Sequence, residues 1–198
     1  MLIVFAKYPE PGKTKTRLIP RFGAAGAAEI QHSMTQHTLS VARTFVRDAE
    51  MKVEVRFTGA TAEQMKTLYG TDLEYREQGE GDLGKRLKLA ISDGFLAGAR
   101  MVIVIGTDCP TLSPDHLRAA QNALVEADVV LGPALDGGYY LVGLRLAQSE
   151  LFDGIAWSTD SVLKQTLEAA GRRELSVHLL QTLADIDRPE DLQYMPVN

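Results

Sequence analysis

Apolar positions fall into short continuous runs separated by longer segments with helical spacing. Leu2 to Ala6 is a run closed by Pro9, Pro11 and Gly12, the pattern of a buried strand. Gly23 to Asp48 is Ala-rich and carries Ile30, Met34, Leu39, Ala42 and Val46 close to a helical period. Val53, Val55 and Phe57 alternate with Glu54 and Arg56, which predicts a second strand. Thr61 starts a short helix through Leu68, and Leu73 to Glu77 reads as a third strand. Leu83 to Ala99 is helical, with Leu83, Leu87, Ala90, Ile91 and Phe95 on one stripe. Met101 to Ile105 is uninterruptedly apolar, as expected of a strand buried on both faces. Ser113-Pro114 is a cap and first-turn pair for a helix through Val125.

The second half continues the alternation. Val129 to Leu131 and Tyr139 to Leu144 read as strands around an Asp-Gly-Gly turn, Thr159 to Ala170 as a helix, and Val177 to Leu180 as a strand. Pro189 to Leu192 is a last helical turn. No repeat or linker interrupts residues 1–198, so the pattern predicts one α/β domain with a mostly parallel sheet. In such a sheet, ligands bind outside the carboxyl ends of the strands.

Composition narrows the class. Of 198 residues, 45% are hydrophobic and 24% charged, enough for one sizeable core. Cys109 is the lone cysteine, which excludes a disulfide scaffold and predicts a reducing, cytoplasmic setting. The opening MLIVFAKYPEPGK has too short an apolar run for a signal segment, and no stretch is long enough to span a bilayer. Net charge is −5, from 21 Lys+Arg against 26 Asp+Glu, which argues against a nucleic-acid partner. Within this acidic chain, Lys7, Lys13, Lys15, Arg17 and Arg21 cluster, opposed only by Glu10. That segment predicts a local anionic ligand.

Six segments carry candidate chemistry. The loop Phe5 to Leu18, FAKYPEPGKTKTRL, leaves the first strand, where backbone N–H groups and basic side chains meet phosphates. Gly12-Lys13-Thr14 imitates the end of a Walker A loop, but Lys7 stands where that motif needs Gly. QGEGDLGKR, Gln78 to Arg86, contains a formal G-x-G-x-x-G, with Asp108 roughly 20 residues further on, as in a dinucleotide site. Asp82 inside that turn opposes a diphosphate, and a ligand-free Gly-rich turn is the plainer reading. GTDCP, Gly106 to Pro110, puts Asp108 at a strand's carboxyl end, suited to a divalent cation that bridges phosphates. Asp136, Gly137 and Gly138 fit either a tight hairpin turn or a substrate contact. Trp157 to Thr159 reads as an acceptor wall or as a helix cap beside a core Trp. In ADIDRPEDL, Ala184 to Leu192, Asp187 reads first as a helix cap and alternatively as part of a metal shell. The four histidines have no zinc spacing, and Cys109 reads as a buried residue rather than a nucleophile.

Taken in order, FAKYPEPGKTKTRL, QGEGDLGKR, GTDCP, DGGYYLVGL and WST resemble the bacterial glycosyltransferase-like proteins called radical-SAM/selenodomain-associated transferases. The resemblance runs over essentially the whole chain. It implies the nucleotide-diphospho-sugar transferase fold, a Rossmann-like glycosyltransferase A type. It implies that Lys15 and Arg17, with Lys7, Gly12 and Lys13, grip nucleotide phosphates, and that Gln78, Gly79 and Gly84 sit near the base. Asp108 would hold Mg²⁺ or Mn²⁺ with Asp187 as second ligand, and Asp136, Gly137, Gly138 and Trp157 would face a small-molecule acceptor. One departure is visible: the nucleotidyltransferase loop has G-x-G-T-R, and here only Gly12 precedes KTKTR. The dense basic loop favours nucleotidyl transfer from a nucleoside triphosphate to a phosphorylated acceptor. The family resemblance favours glycosyl transfer from a nucleotide sugar. An NAD-binding oxidoreductase and a nucleotide-binding protein without turnover are the other classes, and oligomeric state is open.

Overall fold

The computed structural model describes residues 1–49 and 51–195. Strand β1, Leu2–Lys7, is buried on both faces because Leu2, Val4 and Ala6 meet one helical layer and Ile3 the other. Around it run β2 (Val53–Thr58), β3 (Glu74–Glu77), β4 (Val102–Ile105), β5 (Val129–Pro133), β6 (Tyr139–Leu144) and β7 (Val177–Leu179). They form one seven-stranded sheet in the order β3-β2-β1-β4-β6-β5-β7. Every pairing is parallel except those of β6, which runs antiparallel to both β4 and β5.

Helices α1 (Ile19–Ala49), α2 (Ala62–Tyr69) and α4 (Pro114–Ala123) pack on one face through Leu39, Phe45, Met65 and Leu117. Helices α3 (Leu83–Leu96) and α5 (Val162–Gly171) cover the other through Leu87, Ile91 and Ala170. This is the expected α/β layer architecture. Among the described residues, no helix is long and apolar enough to cross a membrane.

Several boundaries shift for local reasons. The first long helix begins at Ile19 rather than Gly23, where φ of 69° and ψ of 169° break it into a leading turn and the main body. Helix α3 ends at Leu96, just before Gly98 turns the chain at φ 86°. Helix α5 begins at Val162, not Thr159, because the Thr159 hydroxyl is engaged with the Ala156 carbonyl and Ser161 Oγ. Strand β2 departs most from its pattern. Its polar positions Glu54 and Arg56 are buried, and Arg56 pairs with Glu54 and, at 2.8 Å, with Asp93 of α3. The alternation therefore marks a two-sided interior strand whose charge is satisfied by ion pairs.

Candidate active site

All strands but β6 end at one edge of the sheet, and the loops leaving that edge carry the singled-out motifs except Trp157–Thr159, which follows β6. The loop after β1 is held by its own backbone: Lys13 and Thr14 N–H groups donate to the Glu10 carbonyl, and Lys7 Nζ donates to the Lys13 carbonyl at 2.6 Å. Gly12 turns it with φ of 84°. Lys15 follows in the left-handed region, φ 45° and ψ 45°, a conformation uncommon for a side chain of its type. Lys13, Lys15 and Arg17 stand at alternate positions, and that turn sends their side chains apart. Lys13 swings out to Glu10 at 2.8 Å, Lys15 turns inward to Asp108, and the exposed Arg17 reaches Asp187.

Lys15 lies at the centre. Its ammonium is 2.8 Å from Asp108 Oδ1 and 2.9 Å from Asp187 Oδ1, with the side chain only 5% exposed. Arg17 Nη1 holds the other Asp187 oxygen at 3.0 Å. Burial by itself would lower the Lys15 pKa, but the two carboxylates outweigh it and hold the ammonium above its ordinary value.

Each carboxylate is placed by neighbours distant in sequence. Asp108 follows β4; the preceding Thr107 receives a hydrogen bond from Gln31 of α1, and the Asp108 carbonyl accepts from the Ile186 N–H at 2.9 Å. Ile186 is fully buried with Leu18, Ala27 and Met34, a small cluster that presses the Asp185–Asp187 segment against the basic loop. The sequence's first reading of Asp187 as a helix cap does not hold. Asp191 caps that turn, accepting from the N–H groups of Asp187 and Arg188, so the Asp187 carboxylate is left for Lys15 and Arg17.

Asp185 is the residue that motif reading passed over. Burial, and then the charges of Asp136, Asp187 and Asp108, push its carboxyl up to about 6. Burial and the same acidic surroundings raise the Cys109 thiol far above its ordinary value, in line with an inert cysteine. Asp136 is exposed in the β5–β6 hairpin, its Oδ1 accepting from the Gly138 N–H at 2.8 Å. Gly137 at φ 87° is required by its own chain: a Cβ there would lie 2.1 Å from the Asp160 carbonyl.

The Gly-rich segment lies next to β1 and β2. Gln78 is buried, its Nε2 donating to the carbonyls of Ala6 and Arg56, while Arg86 donates to its Oε1 at 3.4 Å. Gly79 turns the chain at φ 85° beside Leu89. Asp82 caps α3, accepting from the Lys85 N–H at 2.8 Å. Its carboxylate thus stands at the helix N-terminus that a dinucleotide diphosphate would occupy. Trp157 lies half-buried on Gly84, with Tyr139 and Phe152 around it. The site residues therefore divide into an ion cluster of Lys15, Arg17, Asp108 and Asp187 and a flank of Gly84 and Trp157.

Of two clefts, only the first has a cluster residue, Arg17, in its lining. One, of about 300 Å³, is lined by Arg17, Arg188, Pro189 and Glu190. The other, about 370 Å³, is lined by Thr111, His116, Leu135, Gln181, Thr182 and Tyr194 among others, with no Lys or Arg. Among the described residues, no three His, Cys, Asp or Glu side chains form a metal cage. Asp108 and Asp187, however, converge on one cation and are 48% and 43% exposed. Two hard, open carboxylates fit a divalent ion that completes its shell with ligand phosphates and water.

Comparison with known proteins adds the following. Residues 41–159 match the profile of the family described as "Uncharacterized protein conserved in bacteria (DUF2064)". A crystal structure from Desulfovibrio desulfuricans G20, described as a "putative nucleotide-diphospho-sugar transferase", is 33% identical with a TM-score of 0.86, covering 96% of this chain and 83% of that one. CMP:2-keto-3-deoxy-manno-octonic acid synthetase complexed with CTP is 13% identical at a TM-score of 0.56, over 98% of this chain and 95% of that one. Glucosyl-3-phosphoglycerate synthase from Mycobacterium tuberculosis, in complex with Mn²⁺, uridine-diphosphate and phosphoglyceric acid, is 11% identical at 0.61, over 97% and 72%. The last two share the fold. No curated protein sequence matches the chain.

Proposed function

The chain belongs to the bacterial DUF2064 family, and we propose that it is a divalent-metal-assisted transferase that takes a glycosyl group from a nucleotide-diphospho-sugar. The observation that carries this reading is Lys15 Nζ held between Asp108 and Asp187 at the carboxyl ends of the strands, with Arg17 beside it. Cations and carboxylates in one open cleft are what a diphosphate with its metal requires. The description of the 33% identical relative supports the same class.

The sequence alone leans to nucleotidyl transfer because its first loop is dense in Lys and Arg. Only two of those cations, Lys15 and Arg17, join the cluster; Lys13 is engaged by Glu10 and Lys7 by a backbone carbonyl. Lys15 and Arg17, with Arg188 lining the cleft beside Arg17, supply the cations that a diphosphate requires. The larger of the two clefts, lined without Lys or Arg, suits an uncharged acceptor.

In this reading Lys15 and Arg17 bind the donor's phosphates, and Asp108 and Asp187 hold Mg²⁺ or Mn²⁺. The ion supplies charge neutralisation on the departing nucleoside diphosphate. The acceptor hydroxyl oxygen bonds to the anomeric carbon as the bond from that carbon to the diphosphate oxygen breaks. Asp136, its Oδ1 fixed by the Gly138 N–H, takes the hydroxyl proton through its other oxygen. Trp157 walls the flank.

A product assay separates the chemistries. The protein is incubated with Mn²⁺ and either a panel of nucleotide sugars or a panel of nucleoside triphosphates with sugar phosphates. Release of nucleoside diphosphate from a nucleotide sugar is expected. Pyrophosphate release from a triphosphate would instead assign nucleotidyl transfer, and ligand binding without either product would assign a non-catalytic role.

A further inference from the structure

Lys15 holds both carboxylates at hydrogen-bond distance, and its side chain is almost wholly enclosed while theirs are half open. A divalent cation such as Mg²⁺ bound by Asp108 and Asp187 needs the same oxygens at about 2.0–2.1 Å. An ammonium left at 2.8–2.9 Å from those oxygens would then stand within a few ångströms of a doubly charged ion. Like charges at that separation in a partly enclosed site repel strongly. The two cations therefore exclude each other.

We infer that Lys15 is a resident cation at the metal position, so that the divalent ion and the donor diphosphate enter together as Lys15 swings from the carboxylates to the phosphates. This rests on the metal-assisted reading above. The geometry supplies what the exchange needs. Lysine carries its charge on a flexible four-carbon stem, so the ammonium can relocate while the backbone stays. The backbone is pinned at this point, since the Leu18 N–H donates to the Lys15 carbonyl at 2.8 Å and Leu18 is buried with Ile186. The neighbouring Ile186, fully buried with Leu18, keeps the Asp187 segment in place after Lys15 leaves. Without nucleotide, metal must displace an ion pair; with nucleotide, the displaced ammonium gains a phosphate partner. Metal and nucleotide then raise each other's affinity by the same factor.

The test measures Mn²⁺ affinity by the free-ion paramagnetic resonance signal, with and without uridine diphosphate or guanosine diphosphate as probe. The folded parent is compared with Lys15→Met, which keeps length but not charge. Lys15→Met is expected to bind Mn²⁺ alone at least tenfold tighter than the parent and to show little further gain with diphosphate. Equal or weaker binding of Mn²⁺ alone by the variant overturns the exchange. Should Lys15→Met not fold, the parent decides by itself. Reductive methylation read by mass spectrometry is expected to spare Lys15 in the free protein and to reach it once Mn²⁺ alone saturates the site. Continued protection at saturation overturns the exchange. A parent that binds no Mn²⁺ with either diphosphate, or an Asp108→Asn variant that binds as the parent does, overturns the metal-assisted reading itself and the exchange with it.

Discussion

The indole of Trp157 rests directly on the backbone of Gly84: a Cβ built at Gly84 would lie 2.4 Å from Trp157 Nε1. This contact fastens the 153–161 segment to the first turn of α3, and it explains why a glycine opens that helix despite the conformational cost. Gly84→Ala should force the indole outward and destabilise the protein by about 1–3 kcal/mol. Because Trp157 is the lone tryptophan, its emission should shift to the red in the same variant. An unchanged denaturation midpoint with unshifted emission would show that the two residues do not touch.

Asp108→Asn should leave the fold intact while lowering metal-dependent nucleotide affinity and the transfer rate. A loss of ~2.7 kcal/mol in transition-state stabilisation corresponds to about a hundredfold in rate. The sequence alone assigns Asp187→Asn a smaller effect, because the resemblance at Asp187 is looser and Asn would preserve a cap. Since Asp191 is the cap and Asp187 serves Lys15 and Arg17, the two variants should lose comparable affinity. Calorimetric titration with Mn²⁺ and nucleotide compares them; a much milder Asp187→Asn would return that residue to a structural role.

Ile186 is fully buried between two acidic neighbours and joins the late segment to Leu18. Truncation to Ala should destabilise by about 2–5 kcal/mol, as for other buried aliphatic residues. It should also weaken nucleotide binding under conditions where the variant is fully folded, because Asp187 loses its anchor. Normal affinity in the folded variant would separate the cluster's packing from its ligand chemistry.

Asp128 links β5, β6 and β7, accepting from Ser176 Oγ, the Ser176 N–H and Arg145. These hydrogen bonds hold its carboxyl down at about 2, against an ordinary value of 3.8. A carboxyl lowered on folding stabilises the folded state above its unfolded value and loses that contribution as pH falls. The stability gap between the parent and Asp128→Asn should therefore be constant above about pH 5 and close between roughly pH 4 and pH 2. Denaturant titrations across that range read it directly. A gap independent of pH would mean the carboxylate charge is not what stabilises the joint.

The strands and most helices were legible because burial leaves a local trace. MVIVI predicts a strand covered on both sides, and Val102–Ile105 is covered on both sides. Helix ends were less legible, since Gly23, Gly98 and Thr159 act through backbone angles and single hydrogen bonds rather than through periodicity. In sequence Gly84 fits a ligand site or a ligand-free turn, and Gly137 a substrate contact or a hairpin turn; in the structure Trp157 and the Asp160 carbonyl of the same chain lie against them. A glycine in a motif signals close approach without saying what approaches.

The sequence by itself determined the α/β layering, the parallel sheet, the strand-end location of the motifs and the types of charge available there. Tertiary structure alone decided which charges meet. Lys15 and Asp187 are separated by 172 positions, and their contact depends on strand order, with antiparallel β6 inserted between β4 and β5. It depends equally on Ile186 packing against Leu18. Periodicity records whether a residue faces the core, a property of its own segment. Ion pairing in a cleft requires two segments to be brought within about 3 Å, and only the packing of the whole chain sets that distance.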